Sequence, residues 1–274
     1  MQRSRSLQKQ RRATHAGTWY DADRSKLSGQ IQRWIERAAK VCDDGHIKAL
    51  ICPHAGLRFS GSTAACAWKQ VDPSKYERVF LLGPSHYKHF KGVALPPEGC
   101  SVYLTPLGDL PLDIETLETL RTSGVFQGVS LAEDEEEHSV ELMLPFLRHT
   151  FKEGVKIVPM IVGDLKGRKD NQKFVDMLLD YFLQDENLFI ISSDFCHWGS
   201  RYSYYYLEDS RPEVPIHEAI EMDRKAVSFI TEHQSQGFYD YLETTAPRSR
   251  SSKERRKVLN TAHCLFAVKP SKVA

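Results

Sequence analysis

No run of this chain approaches the roughly 20 apolar residues that a bilayer-spanning helix needs, so no membrane span is expected. The basic N-terminus lacks the apolar stretch of a secretory signal, and residues 1–12 hold only Met1 and Leu7 as apolar members. That argues against export and against an organellar transit peptide, and a disordered extension is the expected reading of the first dozen residues. Cysteine is sparse: the six thiols (Cys42, Cys52, Cys66, Cys100, Cys196 and Cys264) never fall at C-x-x-C spacing. A zinc ribbon and a disulfide framework are therefore excluded, and a reducing, cytoplasmic setting is expected. A net charge of only +1 rules out binding of nucleic acid by the charge of the whole molecule. Internal repeats are absent too.

What is there is unevenly placed. Basic residues gather at Arg3, Arg5, Lys9, Arg11 and Arg12 and again over 248–257, while acidic ones fill 133–137. The later basic run could address the chain to a nuclear pool. Glu254 interrupts it and no aromatics interleave, so a solvated linker fits it better. The acidic run likewise reads as a solvated face rather than a metal site.

The 274 residues suffice for one α/β domain. Apolar periodicity predicts helices over 24–39, 62–71, 114–122, 171–182 and 216–233, and a helix over 138–150 with Pro145 inside its pattern. Short β-rich runs at 47–52, 78–82, 155–162 and 188–192 read as strands, and Pro159 suggests an edge or a bulge in the third. Residues 96–109 read as loop. The expected fold is a single α/β domain with a central parallel or mixed sheet flanked by helices. It divides into a disordered basic extension (1–12), the domain (13–243) and a divergent basic tail (244–274).

Three polar motifs follow three of these strands: ICPHAG at 51–56, LLGPSH at 81–86 and IISSDFCHW at 190–198. In α/β sheets ligands are held at the carboxyl ends of strands. His54 and His86 lie 32 positions apart, about one strand–helix–strand unit, which makes their strands parallel. If those strands were neighbours, the two histidines could share a ligand. Taken alone, each histidine reads as a loop residue; the paired placement points to a site. Asp194 and His197 are spaced so that the acid could fix the imidazole's tautomer and raise its basicity, the arrangement of a general base or of a group supporting a metal ligand. They could equally form a self-contained polar turn. His138 and Glu141 share a helix face, directed either into the cleft or to solvent. Cys196 is a candidate redox thiol, and Arg58 a candidate cation beside the cleft.

Together HAGTWY (15–20), PHAG, GPSH, EHSVELMLPF (137–146) and SSDFCHW resemble, in this order, the MEMO family, the mediators of cell motility. The resemblance implies a fold related to the LigB-type class III extradiol dioxygenases, which hold non-haem iron with two histidines and a carboxylate. It matches His54 and His86 to the metal ligands and His197 to the acid/base histidine. The MEMO family replaces the carboxylate by a cysteine in a CGRHP-like motif. After Tyr241–Leu242 this chain has no such string, and Cys264 does not match it, so the third ligand stays unassigned. The implied function is a cytoplasmic signalling adaptor that binds phosphotyrosine-containing receptor peptides, acts on cytoskeletal signalling proteins, and carries a redox-active iron(II) or copper site. Two alternatives stand beside it: a non-haem metal-dependent oxidoreductase, and a truncated isoform that lacks both activities.

Overall fold

The structure is a computed structural model that describes residues 9–42, 45–165, 168–197 and 215–245. The basic run over 248–257, Trp198, Cys264 and nearly all of the expected tail lie outside the described residues.

The chain runs β1 (Lys9–Arg11), α1 (Arg24–Arg37), β2 (Ala49–Cys52), α2 (Leu57–Trp68), β3 (Arg78–Pro84), β4 (Val93–Leu95), β5 (Cys100–Tyr103), β6 (Leu110–Pro111) and α3 (Ile114–Thr122). It continues through β7 (Gln127–Gly128), α4 (Leu131–Glu136), α5 (His138–Glu141), α6 (Leu144–Thr150), β8 (Lys156–Val162), α7 (Arg168–Leu183), β9 (Asn187–Ser192), α8 (Pro215–Thr231) and α9 (Ser235–Thr245). Among the described residues, six strands form the main sheet in the order β2-β9-β3-β8-β4-β7, and β1-β5-β6 form a second, smaller one. Of the described pairs in the main sheet, β4–β8 alone is antiparallel, so this is the expected mixed α/β architecture.

β3, β8 and β9 are buried along nearly their whole length, as parallel strands covered on both faces must be. Helix α7 packs Tyr181 and Phe182 against Phe80 and Phe189, which stack with ring centroids 4.5 Å apart. Helices α1, α2 and α6 meet through Trp34, Trp68 and Phe146.

Several expectations need correction. β2 and β3 are parallel but not adjacent, because β9 lies between them. β8 is interior rather than an edge. Its Pro159 is tolerated because it faces the same side as Ile157, whose carbonyl accepts from Asp113 N–H, in the gap between that contact and the short strand β4. The segment 96–109 contains β5. The helix expected over 138–150 is two short helices: Pro145 has no N–H to give the carbonyl one turn back, so the ladder breaks before α6. Finally, residues 9–12 are ordered: Lys9–Arg11 pair with β5, and Arg11 is completely buried.

Arg11 explains the acidic run as well. Asp134, Glu135 and Glu137 are buried rather than solvated. Arg11 contacts Asp134 at 3.4 Å and Glu141 at 2.7 Å, while Arg12 reaches Glu135 at 2.6 Å. The two oppositely charged segments noted in the sequence are each other's partners.

Candidate metal centre

Three elements deliver the site. His54 lies in the turn between β2 and α2, His86 follows β3, and His138 opens α5. The inserted strand β9 does not separate them. The His54 and His86 ring centroids are 5.2 Å apart, and His138 lies 5.5 Å from the first and 4.3 Å from the second. One ring nitrogen from each falls within 4.8 Å of the others, a group that could hold a metal ion. The segment that follows β9 contributes Asp194, whose Oδ1 is 3.0 Å from His54 Nε2 and whose Oδ2 is 3.1 Å from His86 Nε2.

The electrostatics divide the histidines. Burial opposes charge on His86, but hydrogen bonds to Asp194 and Glu137 outweigh it and raise this imidazole to about 9. His138 goes the other way: burial and then the His86 charge bring it down to about 3, so it is neutral. Its Nδ1 is buried without a hydrogen-bond partner, 3.5 Å from Glu137 Oε1. A neutral imidazole with an unpaired buried nitrogen is a ready metal ligand. Burial pushes the Glu137 and Asp194 carboxyls up, yet their histidine partners win: Glu137 is held down at about 2 and Asp194 lower still. Neutral His138, His54 and an ionised carboxylate, joined by His86 once an ion displaces its Nε2 proton, make a donor set that fits a transition metal.

A family model described as Memo-like protein matches residues 11–260. The chain belongs to this family. It is 42% identical to Protein MEMO1 of Danio rerio over 236 residues, which cover 85% of this chain and 77% of that protein. The Protein memo-1 homolog of Caenorhabditis elegans is 42% identical over 237 residues, 86% of this chain and 66% of its own length. Protein MEMO1 of Homo sapiens is 39% identical over 236 residues, with 85% and 77% covered.

Within this Memo-family chain the remaining sequence candidates separate. His197 joins the site: its Nδ1 donates to the Phe195 carbonyl at 2.9 Å, and Nε2 lies 3.9 Å from Asp194 Oδ1. Glu141 does not. It turns away from the histidines and is fully buried, accepting from Arg11, His15 and the Tyr20 hydroxyl. Arg58 is exposed at the start of α2, its guanidinium 4.6 Å above the Phe59 ring. Cys196 lies beyond β9 beside a small apolar cavity of about 30 Å³ shared with α8 and α9. Burial, with Asp223 next to it, pushes the thiol up to about 12 and keeps it protonated, unlike a reactive thiolate.

Sequence reasoning missed the second layer. Trp19 lies against His138 with tilted rings 4.4 Å apart, Glu137 binds His86, and Ser192 binds His54. All three lie inside or next to the recurring strings noted above, which was the only signal they gave.

Proposed function

We propose that this Memo-family chain holds one iron(II) or copper ion on His54, His86 and His138, and that it works in the cytoplasm as an adaptor between phosphotyrosine-bearing receptor segments and cytoskeletal signalling proteins. The convergence of three ring nitrogens within 4.8 Å, from three separate elements, carries the metal half of this reading. Such an ion supplies one-electron redox chemistry and Lewis acidity when bound. Around it, Asp194 orients His54 and His86. The Nδ1 proton of His197 is committed to a backbone carbonyl, so Nε2 is the atom that takes up or releases a proton at the cleft. Trp19 covers His138 and limits water on that side.

After anaerobic loading with iron(II) or copper(I), near-stoichiometric metal is expected in the wild type and none in His54→Ala plus His86→Ala. Equal metal in both folded proteins, or none in either, would sink the reading.

The peptide half is supported by the exposed rim at the same end of the sheet. Phe59 is 69% and Tyr87 57% exposed, with Arg58 over the Phe59 ring. A guanidinium there suits a phosphate, and the rings suit its tyrosine. Arg58→Ala is expected to weaken binding of a phosphotyrosine peptide by about tenfold or more, since a hydrogen bond to a charged group contributes about 1.5–3 kcal/mol. Unchanged affinity in a titration would refute it.

A further inference from the structure

Hydrogen counting around the first turn of α5 fixes which nitrogen of His54 carries a proton. Ser192 Oγ lies 2.6 Å from the Ser139 carbonyl oxygen and 2.6 Å from His54 Nδ1. A carbonyl only accepts, so the single hydroxyl proton of Ser192 goes to Ser139. The hydroxyl must then accept from His54, and His54 Nδ1 bears hydrogen. The same turn treats His86 alike. Glu137 Oε1 takes His86 Nδ1–H at 2.9 Å, Oε2 takes the His86 backbone N–H at 2.5 Å, and Oε1 also caps α5 through Ser139 N–H at 2.9 Å. Ser139 Oγ in turn donates to the Pro84 carbonyl at the end of β3. Gly83 leaves room for this contact, because a Cβ there would run into the Ser139 side chain.

We propose that Ser192 is a positioning residue which, with Glu137, locks His54 and His86 as Nδ1–H rings and so turns both Nε2 atoms toward one point, where Asp194 now faces them at 3.0 and 3.1 Å and where an ion would take the place of a proton. The turn Glu137–Ser139 is the common frame: it supplies the ligand His138 and the groups that orient the other two. Carboxylate, carbonyl or hydroxyl partners of ligand histidines fix ring and tautomer, and their loss typically costs 10–100-fold in metal affinity. The inference deepens the metal-site reading and rests on it.

The test uses the full chain labelled with ¹⁵N-histidine and zinc(II) as a diamagnetic probe. The metal-free wild type is expected to show a slowly exchanging His54 Nδ1–H, and the zinc-loaded form the same proton with Nε2 bound. Ser192→Ala should lose that protected proton and bind zinc(II) 10–100-fold more weakly, with the His86 Nδ1–H signal unchanged. Ser192→Thr, which keeps the hydroxyl, should retain both properties. A folded Ser192→Ala protein with the wild-type His54 signal and affinity overturns the proposal, as does loss of the signal in a folded Thr variant. Zinc binding that ignores His54 and His86 would overturn the metal reading instead, while the metal-free spectra still decide the role of Ser192.

Discussion

Replacing Glu141 by alanine is expected to lower the unfolding free energy by about 3–5 kcal/mol, the cost of stripping one partner from a buried ion pair. Glu141 and Arg11 are both completely buried, so solvent does not screen them. One carboxylate collects the Arg11 guanidinium, the His15 ring and backbone N–H, and the Tyr20 hydroxyl. Without it Arg11 keeps Asp134 and three carbonyls, and Tyr20 has lost its acceptor. Because Arg11 and His15 lie in the first described segment, that segment should also release Trp19 from His138. Urea denaturation at pH 7 measures the loss, and a change under about 1 kcal/mol would refute the assignment. The double variant Arg11→Met with Glu141→Leu should recover much of it, since matched apolar pairs often replace buried ion pairs without penalty.

The acid limb gives a second reading of the same network. Burial pushes the Glu141 carboxyl up, but His15, Arg11 and Tyr20 outweigh it and hold it down at about 2, below the ordinary 4.5. A depressed carboxyl stabilises the fold fully above its unfolded value and loses that contribution as pH falls toward its folded one. Glu141→Gln should therefore flatten stability loss between about pH 4.5 and 2 relative to wild type. Asp134 works in the opposite sense: burial raises it despite Arg11, so its contribution declines as pH rises through its own range. The slope from the network as a whole is shallower than Glu141 alone would give.

The strands that place His54 and His86 were legible because each is a short apolar run closed by Gly, Pro or Ser, and burial on both faces demands such runs. Strand order was not legible, because the insertion of β9 between β2 and β3 depends on pairing across more than 100 residues. The same distance hid the fate of the charges. Arg11 and Glu141 are 130 positions apart, and nothing local distinguishes a buried acidic run from a solvated one. His138 and Glu141 were expected on one helix over 138–150 and on one of its faces; they do share α5, but this four-residue helix does not offer both to the same cleft. The break imposed by Pro145 and the pull of Arg11 send Glu141 inward and leave His138 at the site. The tautomer frame of Glu137, Ser139 and Ser192 is invisible to spacing rules, since it consists of which lone pair meets which proton.

His138 and Glu141 should consequently fail in opposite ways when changed. His138→Phe is expected to leave stability unchanged or raise it, by up to about 1–3 kcal/mol, the cost of a buried polar atom left unpaired. Its ring keeps the tilted contacts with Trp19 at 4.4 Å and with His86 at 4.3 Å, and the orphaned Nδ1 disappears. Phenylalanine also removes the neutral imidazole that the His86 charge and burial hold at about 3. Metal affinity should drop by more than the 10–100-fold typical of losing a group that merely supports a ligand. Alanine would blur the comparison by adding a cavity, whereas phenylalanine separates packing from ligation. Thermal melts and iron(II) or copper(I) titration of the same preparation give both numbers. Retained metal with lowered stability would make His138 a core residue and move the third donor elsewhere. Lost metal with a firmer fold would mean that the chain carries an unpaired buried nitrogen because the site, rather than the core, requires it.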